Sequence, residues 1–459
     1  VYMRGANVIP FDYFPARVTR EKYEIMIKAA VDANMNMLRA WGGAFYEDDA
    51  FYESCDEHGI LVWQDFMFAC GMYPGDDEFL QSVREEAIYN IVRLRNHPCL
   101  ALWCGNNEIL EGFHNWGWKE EIGEENVASA FDSYRKLFDQ LLPEVLAHHD
   151  PQRPYWQSSP SSDFNELLSL TAGDYHYWDI VKADLPIQVY RENVGRFMSE
   201  YGFKSYPEMK TLQTYTREDD RHIRSEVMEA HQGWETGADL VEKNMRREYR
   251  EPKDFESFLY VSQLLQAEAI RIAVEAHRAS KPYCMGTLYW QLNDCWQAAT
   301  WASIDYFGRW KALHYHLKRL FNPVLPVARI DNGKLSVSVV NDRLQTVHSH
   351  VKIVMLDFSG VKLFEKVIPT VLSTDVCQPV FEIPVADLLK DVDPGQVLLA
   401  MSVIEKKKLI SENVFYFVSP GKLDLPKPDI QAKIAETANG CKITLTSSVF
   451  AKNVYLSVK

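Results

Sequence analysis

The segment Leu100-Ala101-Leu102-Trp103-Cys104-Gly105-Asn106-Asn107-Glu108 decides the fold. Its apolar start predicts a buried strand, and the polar run that follows predicts where the strand stops. A carboxylate at the mouth of a buried strand costs free energy unless it is hydrogen-bonded or has chemistry to perform. In a parallel α/β barrel, chemistry sits at the C-terminal ends of the strands. A second tip of this kind, Arg196-Phe197-Met198-Ser199-Glu200-Tyr201-Gly202, lies downstream.

Outward from Glu108, strand-like runs alternate with helical ones up to about residue 320. The strand candidates are Tyr2–Ile9, Asn36–Trp41, Ile60–Phe66, Leu100–Cys104, Tyr155–Gln157, Asp174–Trp178, Arg196–Glu200 and Met285–Gln291. Tyr23, Met26, Ile27 and Ala30 fall at i, i+3, i+4 and i+7, the spacing of one helical face. Leu265, Ala269, Ile272, Ala273 and Ala276 form a similar stripe. Eight strands alternating with helices predict an α/β fold, a (β/α)₈ TIM barrel over residues 1–322. The polar stretch Thr211–Lys253 is expected to be an elaborated loop over the barrel mouth.

Beyond Asn322-Pro323 the pattern shortens to alternating runs: Lys334–Val340, His350–Leu356, Val397–Ile404 and Asn413–Val418. Turn signals separate them at Asp331-Asn332-Gly333, Ser359-Gly360 and Asp393-Pro394-Gly395. Residues 323–420 are therefore expected to form an immunoglobulin-like β-sandwich. Residues 421–459 are expected to begin a further β-domain, with a turn at Asn439-Gly440, too short to close a sandwich by itself. The opening Val1-Tyr2-Met3 already reads as strand, so the chain is expected to be an excerpt whose targeting segment is not in view.

The 459 residues carry a formal net charge of −15, which argues against nucleic acid and anionic membrane as partners. No apolar run approaches the roughly 18 residues of a spanning helix. Eight cysteines lie scattered without a Cys-x-x-Cys pair, so no metal knuckle is expected. Aromatic residues make up 13% of the chain, with 12 Trp and 23 Tyr; sugar-binding clefts use such flat faces with polar edges, although most of these rings are expected to be core. Nucleotide loops, His-Glu-x-x-His and Gly-x-Ser-x-Gly are all missing from the sequence. No metal or other cofactor is expected.

Glycoside cleavage needs one carboxylic acid to protonate the leaving oxygen and a second carboxylate as nucleophile or as base for water. Glu108 closes the fourth predicted strand and Glu200 the seventh, so both are expected in one barrel mouth. One strand-end glutamate is more often structural; two in one mouth favour catalysis. Asn107 is expected to grip a sugar hydroxyl, Arg39 to hold Glu200 ionised, and Asp65 to bind sugar hydroxyls. His176 and Tyr177 are expected at the nucleophile or the sugar, and Trp41, Trp116 and Trp290 as stacking platforms. As the acid, Glu108 is expected to have the higher pKa of the pair. Glu111, three residues beyond it, is expected to help cap a helix.

These stretches resemble glycoside hydrolase family 2, and within it the β-mannosidases, especially bacterial ones. The resemblance rests on Arg39-Ala40-Trp41-Gly42-Gly43, Trp63-Gln64-Asp65-Phe66-Met67-Phe68-Ala69-Cys70, Trp103-Cys104-Gly105-Asn106-Asn107-Glu108, Ser199-Glu200-Tyr201-Gly202-Phe203 and Tyr289-Trp290-Gln291-Leu292-Asn293-Asp294. It implies a retaining, metal-free mechanism with Glu108 as acid/base and Glu200 as nucleophile. Asn107, Arg39, Trp41, Trp116, Tyr177 and Trp290 match positions lining the family's terminal-sugar pocket. The implied reaction removes terminal, non-reducing β-D-mannose from oligosaccharides. A family 2 enzyme for another sugar, or a sugar-binding protein without turnover, are the alternatives. The relatives point to a periplasmic or extracellular location, or a lysosomal one. In the family, a sugar-binding-like sandwich and an immunoglobulin-like domain precede the barrel, and neither stands in this sequence. Oligomeric state is left open.

Overall fold

A computed structural model describes residues 1–162, 169–232, 237–437 and 440–456. The chain divides into two compact units: residues 1–245 with 252–322, and residues 246–251 with 323–459.

The first unit holds eight strands: β1 Met3–Val8, β2 Met37–Ala40, β3 Leu61–Asp65, β4 Leu100–Cys104, β5 Tyr155–Trp156, β6 Tyr175–Tyr177, β7 Met198–Tyr201 and β8 Gly286–Tyr289. They form one curled parallel sheet in the order β5-β4-β3-β2-β1-β8-β7-β6, the order of a (β/α)₈ barrel cut between β5 and β6. Each lies where the sequence predicts a strand. Asp174 spans the cut: its carboxylate accepts from Trp156 Nε1 (2.8 Å), and its backbone N–H donates to the Ser161 carbonyl (3.0 Å).

Helices cover the sheet. Arg20–Asp32 is capped by Thr19 and buries Tyr23, Met26, Ile27 and Ala30, the predicted stripe. Phe255–Ala279 buries Leu265, Ala269, Ile272 and Ala273 of its predicted stripe and leaves Ala276 half-buried. The region expected to be one polar loop, Thr211–Lys253, instead contains helices at Met209–Leu212, Glu226–Ala230 and Gly237–Glu248; residues 233–236 of it lie outside the described residues. The first two are too short to show a period in sequence. The third buries Ala238, Val241 and Met245, a helical spacing hidden by the charged residues between them.

Along each strand, alternate side chains enter the barrel. Met37, Trp63, Cys104 and Leu288, with half-buried Phe197, make an apolar layer inside. Two residues further along β2 and β3, the inward positions are Arg39 and Asp65, both buried. The polar layer therefore rests on an apolar one.

In the second unit, β9 Val324–Asp331, β10 Lys334–Asn341 and β13 Val376–Pro384 form one antiparallel sheet. β11 Val347–Asp357, β12 Lys362–Leu372, β14 Val397–Glu405 and β15 Lys408–Phe415 form another. Leu335, Val337 and Val339 of β10 meet Val351, Ile353 and Met355 of β11 in a shared core. A hairpin, β16 Gln431–Thr437 and β17 Gly440–Thr446, follows. The turn expected there falls partly on Asn439, outside the described residues. No helix among the described residues is long and apolar enough to cross a membrane.

Candidate active site

Arg39, at the end of β2, organises the polar layer. Its side chain is fully buried and donates five hydrogen bonds, the number of N–H groups it has. Nε and Nη2 grip the Asp65 carboxylate at 3.2 and 2.8 Å; Nη2 also reaches Asn107 Oδ1 (2.7 Å); Nη1 reaches Asn7 Oδ1 (3.0 Å) and Glu200 Oε1 (2.5 Å). One guanidinium thus ties β1, β2, β3, the tip after β4, and β7. Burial works against its charge, but Asp65 and Glu200 outweigh this and raise its pKa.

Asp65 was expected at sugar hydroxyls. Its four hydrogen bonds all come from the protein: two from Arg39, one from Trp63 Nε1 (2.9 Å) and one from the Gly42 backbone N–H (3.0 Å). With both oxygens spent and no exposure, it anchors Arg39 instead. Gly42 must be glycine for this contact, since a Cβ there would lie 2.5 Å from the Phe66 carbonyl oxygen.

The tip after β4 turns through Glu108, whose φ of 60° is left-handed and costly for a glutamate. Its backbone N–H donates to Ser159 O (2.7 Å), and it stands at the N-terminus of the helix Ile109–Asn115. Asn106 holds the turn, accepting from Ser158 Oγ (2.8 Å) and the Ile109 N–H (3.2 Å) and donating to Gln157 O (2.9 Å). Asn107 is oriented by Arg39: because its Oδ1 accepts from the guanidinium, its Nδ2 faces Cys70 Sγ at 3.4 Å, a weak acceptor.

His176 joins the two carboxylates. Its Nδ1 lies 2.8 Å from Glu108 Oε1 and 3.4 Å from Glu200 Oε2, with its side chain fully buried. The two glutamate oxygens are therefore no farther apart than those two distances laid end to end. Glu200 Oε2 also accepts from Trp178 Nε1 (3.3 Å), and Cys70 Sγ–H points at Glu108 Oε2 (3.5 Å).

Tyr177 corrects the expectation for its neighbour in β6. Its hydroxyl accepts from Asn193 Nδ2 (2.9 Å) and its ring packs edge-on against Tyr190. Consecutive strand residues face opposite ways, so His176 and Trp178 share the inner face and Tyr177 does not. Trp41 and Trp290 meet edge to face, ring centroids 5.1 Å apart, at the ends of β2 and β8. Trp116 follows the helix after Glu108, and its Nε1 has no hydrogen-bond partner among the described residues. Beside it, Lys182 lies 5.6 Å over the Trp116 ring and 3.9 Å from Glu111. Glu111 sits in the first helical turn, but its side chain faces Lys182 instead of capping the helix.

The electrostatics reverse the expected order of the two acids. Burial raises the Glu108 carboxyl, but the His176 imidazole bonded to it more than offsets this and holds it below the ordinary value. Burial pushes Glu200 up, past what His176 and Arg39 restore, and the Glu108 charge adds to the rise. Burial lowers His176, yet Glu200 and Glu108 together raise it. The proton expected on Glu108 is thus drawn toward His176. Glu111, half-buried and beside Glu108, is pushed up to about 7. Glu108, Glu111 and His176 place three metal-type ligand atoms within 4.8 Å of one another, two of them already joined by the His176–Glu108 hydrogen bond.

Asn7, Cys70, Ser159, Asp174 and Trp178 join the site without having been among the residues expected there. Two of these carried a signal: Asn7 is a polar residue inside an apolar strand, and Trp178 lies one alternation beyond His176. The others come from loops whose approach to the site is set by the fold.

Residues 333–420 match a family described as a mannosidase Ig/CBM-like domain. β-Mannosidases of Mus musculus and Capra hircus are 31% and 33% identical to the chain; each match covers all of the chain and 55% of the relative. The crystal structure of a β-D-mannosidase from Dictyoglomus thermophilum superposes with a TM-score of 0.89 at 33% identity, again over all of this chain and 55% of that one. The chain spans about half the length of the curated relatives it matches. On these likenesses, and on the barrel and sandwich described above, the chain belongs to the β-mannosidase group of glycoside hydrolase family 2.

Proposed function

We propose that this chain carries the catalytic centre of a retaining exo-β-mannosidase, with Glu108 as acid/base and Glu200 as nucleophile. The observation that carries the reading is the single imidazole nitrogen held between both carboxylates. It brings Glu108 Oε1 and Glu200 Oε2 within the sum of its two contacts, close enough for a direct pair of carboxylates. Retaining enzymes hold their carboxyl groups about 5–5.5 Å apart.

The steps follow from the geometry. A terminal sugar lies over the tips of β4 and β7. Glu200, its Oε1 gripped by Arg39, attacks the anomeric carbon with Oε2 as the glycosidic C–O bond breaks. Glu108 gives its proton to the departing oxygen. Water then enters, Glu108 takes its proton, and the glycosyl–Glu200 ester is cleaved with the original configuration restored. Asn107 Nδ2, kept free of Arg39 because Oδ1 takes the guanidinium, donates to the sugar 2-hydroxyl, where hydrogen bonds strengthen in the transition state. Trp41 and Trp290 offer apolar walls to the sugar ring. The β-mannose specificity rests on the named relatives.

Glu200→Ala should abolish turnover of an aryl β-mannoside, and azide should restore part of it as the α-mannosyl azide. Full activity in that variant would remove Glu200 from the mechanism. A panel of nitrophenyl β-mannoside, β-galactoside, β-glucuronide and β-glucosaminide tests the sugar. Cleavage of a galactoside with the mannoside untouched would overturn the specificity and keep the mechanism.

A further inference from the structure

Behind His176 lies a further buried carboxylate that no step above uses. Asp174 precedes β6 and is 3% exposed. Its Oδ1 accepts from Trp156 Nε1 (2.8 Å) and the Ser161 backbone N–H (3.0 Å), and its Oδ2 accepts from Ser159 Oγ (2.6 Å) and Ser199 Oγ. These contacts place the Asp174 carboxylate as an acceptor at both oxygens, with the Ser159 hydroxyl donating to Oδ2. The single hydroxyl hydrogen of Ser159 is thereby committed to Asp174.

What Ser159 Oγ can still offer is a lone pair. Its other neighbour is His176 Nε2, 2.9 Å away. That contact is a hydrogen bond only if Nε2 carries the hydrogen. With Nε2 fixed as a donor, Nδ1 has two states open to it. It is protonated and donates to Glu108 Oε1, or it is bare and accepts from a protonated Glu108. The two states differ by one proton moved along one 2.8 Å hydrogen bond, and the ring need not turn.

We propose that Ser159 and Asp174 are positioning residues for the acid/base step, holding His176 in its Nε2–H form so that Nδ1 and Glu108 share the proton the leaving group takes. This deepens the reading of Glu108 as the acid and rests on it. In the first half-reaction the shared proton leaves Glu108 for the glycosidic oxygen as the C–O bond breaks, and Glu108 remains as carboxylate beside a neutral imidazole. In the second half-reaction water returns a proton to Glu108. His176 keeps its Nε2 hydrogen throughout, so no net proton passes through the relay.

A purely structural account exists, because Asp174 also ties together the segments around β5, β6 and β7. The two accounts separate on leaving groups. General acid catalysis contributes about 10²–10⁴-fold, and only where the departing oxygen needs a proton. Dinitrophenolate leaves without one; phenolate does not.

The test compares the full chain with Ser159→Ala on 2,4-dinitrophenyl and phenyl β-mannosides. The variant should lose roughly tenfold or more in kcat/KM on the phenyl glycoside and far less on the dinitrophenyl one, a partial loss of the acid's contribution. Equal losses on both substrates would overturn the proposal in favour of a structural role. A second measurement does not depend on turnover. With ¹⁵N-labelled histidine, and the His176 signals assigned by their loss in His176→Gln, Nε2 should titrate as a nitrogen that stays protonated in the parent chain and lose that character in Ser159→Ala. An Nδ1–H, Nε2-bare imidazole in the parent would overturn the relay. Should the parent cleave neither glycoside, the hydrolase reading falls, while the nitrogen shifts still decide the tautomer.

Discussion

Arg39 is the residue on which the site's geometry turns. Its five donors are matched by Asp65, Asn7, Asn107 and Glu200, so no shorter or single-headed cation can replace it. Arg39→Lys should keep the charge and lose the fork; we expect kcat/KM on an aryl glycoside to fall by about 10²-fold, the usual penalty for a misplacement near 1 Å. Arg39→Met should leave two buried carboxylates unpaired and destabilise the fold by about 3–5 kcal/mol, read as the shift of the urea midpoint. A midpoint unchanged by that substitution would contradict the burial on which the argument rests. Glu111 gives a pH signature. Unfolded, it titrates near 4.5; folded, burial and the neighbouring Glu108 push it up to about 7. Between those values the folded state binds more protons than the unfolded one, so this residue makes stability fall as pH rises from about 4.5 to 7. Glu111→Gln should flatten that part of the stability curve and raise the melting temperature at pH 8 relative to pH 5. A variant with the parent's pH dependence would show that Glu111 is not held neutral. Among the residues singled out, Arg39, Glu108 and Glu200 were legible because charge at the end of an apolar strand is costly. The misplacements of Asp65 and Tyr177 have different causes. Asp65 carried no sign that Arg39 would claim both of its oxygens. Tyr177 ignored the alternation that His176 had already fixed.

At the scale of elements, the eight barrel strands were legible because burial on both faces makes parallel strands apolar runs. The sandwich was less so. β12 is an edge strand, mostly exposed, and holds Pro369, so it lacks the alternation that betrayed β10 and β11. The barrel also depends on close approach between neighbouring strands. A Cβ on Gly5 of β1 would lie 1.7 Å from the Met37 carbonyl oxygen of β2, a backbone atom that cannot step aside without moving its strand. Gly5→Ala should therefore cost about 3 kcal/mol or more, the upper end for overpacking, and lower the melting temperature. An alanine variant as stable as the parent would mean that β1 and β2 separate more freely than their parallel pairing suggests. The helix Gly237–Glu248 lies in a polar stretch, yet its buried positions, among them Ala238, Val241, Asn244 and Met245, fall on one helical face between the charges.

For the whole molecule, the net charge of −15 sets its company. At pH 7 the chain should pass through heparin and be retained by an anion exchanger; retention on heparin at about 0.1 M salt would reveal a basic face that the net charge conceals. The sequence by itself determined the number and order of the barrel strands, the change to a β-sandwich after residue 322, and the two glutamates at strand ends. All of these are local patterns of polarity, written in the spacing of apolar residues along the chain. Only the tertiary structure decided that Arg39 is spent on four partners, that His176 of β6 and Trp178 just beyond it turn to the same side, and that Ser159 and Asp174 stand behind the imidazole. It also decided where protons are drawn, reversing the order expected of Glu108 and Glu200. Those outcomes depend on groups from distant segments meeting in a buried, poorly screened space, where each hydrogen bond and each neighbouring charge shifts the next.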